Sequence, residues 1–248
     1  MNNIGILDSY SRRARLLPAL ITIAPVAVFF AVALPWQSFK MPQFAIGAAI
    51  VCATFMLADV ARRLGKHAER KLFPTTNGRP FPSVLRHKDL TLDPVLTDKY
   101  QKWLGVRLGE VPPSVESEHL SPMLADQFYA RCGNWLREQP QQTKRSDLIF
   151  EENVTYGFRR NLYGLKPFSQ ILNLSTAGGA AYLYHKGIDL MWQPAETSGY
   201  LVALSVCAVH LAYFVIVVTR NSVLHASEDY GRQLVLSIEA LSSNSDAA

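Results

Sequence analysis

Four long stretches of this sequence contain no Asp, Glu, Lys or Arg, and that absence decides the broad class. Residues 16–36 give 21 such positions, 41–58 give 18, 168–184 give 17 and 197–219 give 23. Charged residues are only 18% of the chain, below the roughly 25% usual for water-soluble domains. Other absences narrow the chemistry. Three cysteines, Cys52, Cys132 and Cys207, have no CxxC or paired spacing, so neither a disulfide framework nor a zinc ribbon is indicated. No GxxxxGK[ST], GxGxxG, GxSxG or HExxH motif occurs, and the six histidines are scattered without metal-ligand spacing. A catalytic site, a metal site and a cofactor site therefore have no support in the sequence, and a non-enzymatic protein is expected. Strand-like alternation and internal repeats are also missing, leaving an all-α chain.

What is present is apolar sequence long enough to cross a bilayer. Twenty-one helical residues reach about 31 Å at about 1.5 Å per residue, the thickness of the hydrocarbon core. Spans are expected at about 16–36, 41–58, 168–184 and 197–219, as two hairpins. The third carries Asn173, Ser175, Thr176, Gly178 and Gly179 and is expected to insert together with the fourth. The RRAR run before the first span, with Ala31-Val32-Ala33 behind it, has the form of a signal peptide. Its apolar run exceeds the about 7–15 residues of such a signal, which favours a span.

Cations set the direction. Of the 25 Lys and Arg residues, only Lys40 and Lys186 fall in the two short loops between paired spans. Residues 1–15, 60–166 and the tail beyond the fourth span are thereby expected in the cytoplasm, since cytoplasmic flanks hold the excess of Lys and Arg. Trp36, Trp192 and Tyr200 would form the aromatic belt of the opposite interface. The expected organisation is a first hairpin in 1–59, a basic helical cytoplasmic domain in 60–166, a second hairpin in 167–220 and an amphipathic tail in 221–248. The cell (inner) membrane is the expected location. Net charge is +5; a basic domain beside anionic lipid headgroups explains it more simply than nucleic acid does.

Within the spans, small residues recur every fourth position, at Ala45, Ala49 and Ala53, at Ser175 and Gly179, and at Ala208 and Ala212. Such seams let helix backbones approach in lipid, either within one copy or between two. Pro18 and Pro25 each remove a backbone hydrogen bond from the first span; Pro18 lies near enough its start to be harmless, and Pro25 is expected to bend it. His210 is the one titratable group deep in a span and so a candidate intramembrane polar site. A neutral His210 bonded to Ser205, Thr54 or a carbonyl of a neighbouring helix would hold the bundle together. The spans contain no acid or further base to complete a proton path.

The cytoplasmic part reads as helices between proline-rich loops. Asp93-Pro94 caps a helix running to about Arg107 and stopping near Gly109, and Ser121-Pro122 repeats the device. The second of these would present Leu124, Phe128, Cys132, Trp135 and Leu136 on one face. Another helix should start near Ser146 or Asp147 and carry Glu152, Asn153, Tyr156, Arg159 and Arg160, a candidate polar docking surface for a partner or small ligand. The tail, with Leu224, Tyr230, Leu234, Leu236, Ile238 and Leu241, is expected to pack on the cytoplasmic domain. In layout alone, two span pairs carrying a compact helical domain resemble the small membrane effectors of prokaryotic defence and signalling systems. That resemblance implies a self-associating protein, a homo-oligomer or one with a membrane or cytoplasmic protein partner, able to perturb the bilayer. A transporter or channel component using His210 and the bent first span is the alternative.

Overall fold

The computed structural model describes residues 8–33, 43–76, 78, 80, 82–139, 146–187 and 197–245, with backbone alone at 33, 43–50, 197–198 and 244–245. Trp36 and Trp192 lie outside it. Every regular element among the described residues is a helix, with no strand among them. An α-turn Ser9–Ser11 and a π-helical turn Arg12–Leu16 lead directly into α1, Leu17–Ala33. Then come α2 (Gln43–Leu72), two 3₁₀ turns (Pro74–Thr76 and Ser83–Leu85), α3 (Pro94–Leu108), α4 (Val115–Leu120), α5 (Pro122–Glu138), α6 (Ser146–Lys186), α7 (Thr197–Ile216), α8 (Arg220–Leu236) and α9 (Ile238–Ser245). Packing divides the chain into two units: Met1–Lys66 with Phe158–Ser222, and His67–Gly157 with Val223–Ala248.

Two helical segments are long and apolar enough to cross a membrane, Ser9–Val32 with 24 residues and Gly199–Ile216 with 18. These match the first and fourth expected spans. The third expected span is one part of the 41-residue α6, and Gln170, Asn173, Ser175 and Thr176 lower its hydropathy below theirs. The second begins at 41–42, outside the described residues, and continues through side chains that are not described up to residue 50.

In the first unit α1 packs along α7. Each helix turns a narrow stripe inward at three- and four-residue spacing, as one face of a helix must. Ala14, Pro18, Thr22 and Pro25 form it in and before α1; Thr54, Ala58, Ala61 and Gly65 in α2; Asn161, Leu165, Ser169, Asn173, Thr176 and Ala180 in α6; Tyr200, Ala203, Cys207, His210 and Phe214 in α7. Leu162, Phe214 and Val218 form the apolar centre, with Ile21, Phe158, Tyr163 and Tyr213 against it. The two longest helices cross where neither has a side chain. A Cβ on Gly164 would stand 2.5 Å from the backbone nitrogen of Gly65, and one on Gly65 would stand 2.9 Å from Cα of Asn161. Glycine is required at both positions by contact between backbones.

The second unit is held by local helix caps and a buried apolar face. Asp93 caps α3 by accepting from Val95 N at 2.8 Å, Pro94 takes the first turn, and Gly109 ends the helix at φ +67°, a left-handed cap that glycine adopts without penalty. Ser121 stands before α5 but its side chain makes no capping bond. The buried face of α5 is Ala125, Phe128, Tyr129, Cys132, Gly133 and Leu136. Phe128, Cys132 and Leu136 are where their spacing placed them, whereas Leu124 is 60% exposed and Trp135 half-buried. The stripe is rotated by one residue because Tyr129 is drawn inward to the carboxylate of Glu118. From the tail, Tyr230, Leu234 and Ile238 are buried, and Gly231 lies against Pro82.

The glycine crossing makes a sharp prediction. Gly164→Ala should lower the thermal stability of the detergent-solubilised protein by about 1–3 kcal/mol through overpacking. Gly178→Ala, with nothing within 4 Å of its added carbon, should be neutral or raise it by up to about 1 kcal/mol through helix propensity.

Candidate functional site

Two of the first unit's buried polar groups reach carbonyls in and just before α1, and the reason lies in its prolines. A proline has no N–H, so the carbonyl four residues earlier loses its helical partner. For Pro18 that carbonyl belongs to Ala14, and for Pro25 to Ile21. Each is met by a buried side chain from another helix. Asn161 Nδ2 donates to the Ala14 oxygen at 2.7 Å, and His210 Nε2 lies 3.0 Å from the Ile21 oxygen. A carbonyl can only accept, so His210 carries a proton on Nε2. Ser169 Oγ lies 3.4 Å from the same nitrogen, and the His210 ring leans on Phe214 with centroids 4.6 Å apart.

Further bonds tie α6 to the α7 side of the unit. Asn173 Nδ2 donates to the Cys207 oxygen at 3.1 Å, Lys166 Nζ donates to the Val218 oxygen at 2.8 Å, and Arg159 donates to Ser222 Oγ. Thr22 instead donates to the Pro18 oxygen of its own helix at 2.9 Å. His210 Nδ1 and Asn173 Oδ1 are buried and make no hydrogen bond. Beside His210 the α1–α7 surface opens into a groove of about 610 Å³.

Of the candidate packing residues, Ala53, Ser175, Ala208 and Ala212 are exposed and Gly179 is half-buried. The side chains of Ala45 and Ala49 lie outside the described residues. The seams that close this chain's own bundle are thus the neighbouring stripes through Ala58 and Ala61, through Asn173 and Thr176, and through Ala203 and Cys207.

The candidate docking surface is divided. Glu152, Asn153 and Tyr156 belong to the second unit, Arg159 and Arg160 to the first. Tyr156 is buried, its hydroxyl donates to Glu69 and its ring stacks on Tyr230 with centroids 6.4 Å apart and planes 6° from parallel. It is a packing residue, not a contact offered to a partner. Arg160 Nε donates to Asn161 Oδ1 at 3.3 Å, and the Arg159 bond to Ser222 commits that side chain too. Glu152 and Asn153 stay half-exposed. Partial burial pushes the Glu152 carboxyl above its ordinary range, and the nearby carboxylates of Asp229 and Glu151 push it the same way.

One polar cluster has no signal in the sequence. In the second unit Glu118 Oε2 accepts from Tyr129 OH at 2.8 Å and from His87 N at 3.1 Å. Gln101 Nε2 donates to the Leu85 oxygen at 2.6 Å and to Tyr129 OH at 3.3 Å. Arg86 pairs with Asp126, both largely buried. Burial and the Glu118 carboxylate hold the Tyr129 hydroxyl well above its usual range. These residues come from α3, α4, α5 and the 86–87 turn, so no local spacing reveals them. The cluster satisfies itself, as a buried network must to be stable. Cys132 beside it is pushed up to about 12 by burial and stays a thiol, an unreactive form. No group of three His, Cys, Asp or Glu residues suited to a metal occurs among the described residues. No family model, curated protein or solved structure matches the chain.

The proline rescue is open to a direct check. Asn161→Leu should cost about 1–3 kcal/mol by orphaning the Ala14 carbonyl. In a Pro18→Ala background, which returns the helix's own donor, the same change should cost clearly less, read as a non-zero coupling in a double-mutant cycle of thermal unfolding.

Proposed function

We propose that this chain is a non-enzymatic, four-span membrane protein whose basic helical domain docks a partner or ligand and whose spans associate with further copies. The membrane reading is supported by where the first unit places its polar side chains and its exposed apolar ones. Its interior holds Thr22, Asn161, Ser169, Asn173, Thr176 and His210, while its exterior shows Leu20, Val51, Met56, Ile171, Leu174, Val209 and Ile216. Water would favour the reverse arrangement; a bilayer favours this one. In the third span the amide and hydroxyl of Asn173 and Thr176 point away from lipid, which offsets its low hydropathy. With four crossings the distribution of cations keeps both termini and the domain on the cytoplasmic side of the cell membrane, where Arg62, Arg63 and Lys66, all exposed, can meet anionic headgroups.

Self-association is carried by one observation: Ala53, Ser175, Ala208 and Ala212 face outward. Small residues on an outer face allow a second backbone to approach, the main source of helix pairing in lipid. A protein of this layout fits a membrane effector of a prokaryotic defence or signalling system, with association of the spans as the step that perturbs the bilayer. The alternative, a transporter or channel component built on His210 and the bent first span, has less support. His210 Nε2 is engaged by the Ile21 carbonyl, and the expected spans contain no acidic residue.

The test is cysteine crosslinking in native membranes. Ala208→Cys in a Cys52→Ser background should form an oxidised dimer, and adding Ala212→Leu should abolish it. A chain that never crosslinks and appears only as a monomer in native mass spectrometry from detergent would overturn the self-association reading.

A further inference from the structure

One buried asparagine draws together cations from separate stretches of the first unit. Asn161 donates to the Ala14 oxygen at 2.7 Å, and its Oδ1 accepts from Arg160 Nε at 3.3 Å. Its Cα stands 2.9 Å from where a side chain on Gly65 would begin. Arg15 directly follows Ala14 and Lys66 directly follows Gly65, while Arg12 and Arg62 lie within one helical turn of the same two residues. Arg12, Arg62 and Lys66 are exposed and Arg15 is half-exposed, its guanidinium over the Tyr10 ring at 5.6 Å. The arginines before α1 stand on the π-helical turn Arg12–Leu16, a rare conformation that is frequent at functional sites.

Acids do not balance these four cations. Among the described residues of this unit the acids are Asp8 and Asp59. Asp59 pairs with Arg63 at 2.8 Å, and Asp8, near Arg12 and Arg15, offsets a single charge. Beyond the cations the surface turns apolar on both helices. Leu17 and Leu20 of α1 are exposed directly after the π-helical turn, and Met56 and Val60 of α2 are exposed directly before Arg62. A free phosphate would use the cations alone, whereas an amphiphile with an anionic head uses both parts of the surface.

We propose that this end of the first unit binds an anionic phospholipid, its phosphodiester held by Arg12, Arg15 and Lys66 and its acyl chains along Leu17 and Leu20. Guanidinium groups match phosphate oxygens in pairs, and basic sites at the cytoplasmic ends of membrane helices suit such headgroups. Asn161 is the positioning residue: by meeting the Ala14 carbonyl beside Gly65 it fixes the spacing between the arginine turn and α2. The proposal rests on the bilayer reading of this unit and is independent of self-association.

The test titrates the full-length protein in detergent with phosphatidylglycerol and with phosphatidylcholine, reading the first bound lipid by native mass spectrometry. Wild type should bind phosphatidylglycerol several-fold more tightly than phosphatidylcholine, and sn-glycerol 3-phosphate should not displace it. Arg12→Gln and Lys66→Gln, each at an exposed side chain, should each weaken phosphatidylglycerol about fivefold, the factor expected per cation near an anionic surface. Lys88→Gln and Lys99→Gln, exposed cations of the second unit, should leave it unchanged. Equal wild-type affinity for the two lipids, or equal weakening by the two pairs of variants, overturns the proposal. Displacement by sn-glycerol 3-phosphate also overturns it, since the site would then serve a soluble phosphate. Recovery of the protein in the soluble fraction without detergent would instead overturn the membrane reading beneath it.

Discussion

A buried helix carbonyl must find a donor within the protein, and the first helix of this chain lacks its own donor at two places. Pro18 and Pro25 remove the donors for Ala14 and Ile21, and Asn161 of α6 and His210 of α7 replace them. Two of the buried polar side chains of the first unit, Asn161 and His210, are explained by this need. The prolines are accordingly attachment points: each obliges another helix to bring an amide or an imidazole to a set height on α1. Where water is excluded, an unmet carbonyl costs several kcal/mol, so two such bonds fix which helices can neighbour α1 and in what register.

The glycine crossing acts with these bonds. Asn161 and Gly164 lie one turn apart on α6; the glycine lets α2 approach to backbone contact and the asparagine reaches Ala14. The two units show opposite solutions to burying polarity. In the first, single polar groups serve backbone carbonyls in an apolar surround. In the second, Gln101, Tyr129, Glu118 and His87 satisfy one another, and Arg86 is neutralised by Asp126. Among the described residues, neither arrangement presents a reactive nucleophile or an acid–base pair to a cleft.

The all-helical class, the helix starting at Pro94 and that starting at Ser146 were legible because composition and local capping chemistry decide them. The face each helix turns inward was less so. Fourfold spacing of alanines marks Ala208 and Ala212 as one stripe, but Ala203, Cys207 and His210 are the stripe that packs, since His210 must meet Ile21. That choice depends on a proline 185 positions away in the chain. Tyr156 read as surface because its neighbours are polar; Glu69 and Tyr230, brought in from α2 and α8, bury it. The third expected span is not among the segments apolar enough to cross a membrane, and one of the polar residues that lower its hydropathy, Asn173, donates its amide to the Cys207 oxygen. His210, a candidate polar site in the sequence, lies against a carbonyl of a neighbouring helix, which was among its expected partners.

The account depends most on the apolar outer surface of the first unit facing lipid. Nitroxide labels placed one at a time at Leu20, Ile171 and Val209 in reconstituted bilayers, with Lys99 of the second unit as reference, measure this by power-saturation spectroscopy. All three should relax strongly with oxygen and hardly at all with a water-soluble nickel chelate, while Lys99 responds to the chelate. If the chelate reached Leu20, Ile171 and Val209 as readily as Lys99, the surface would be facing water and the account would be wrong.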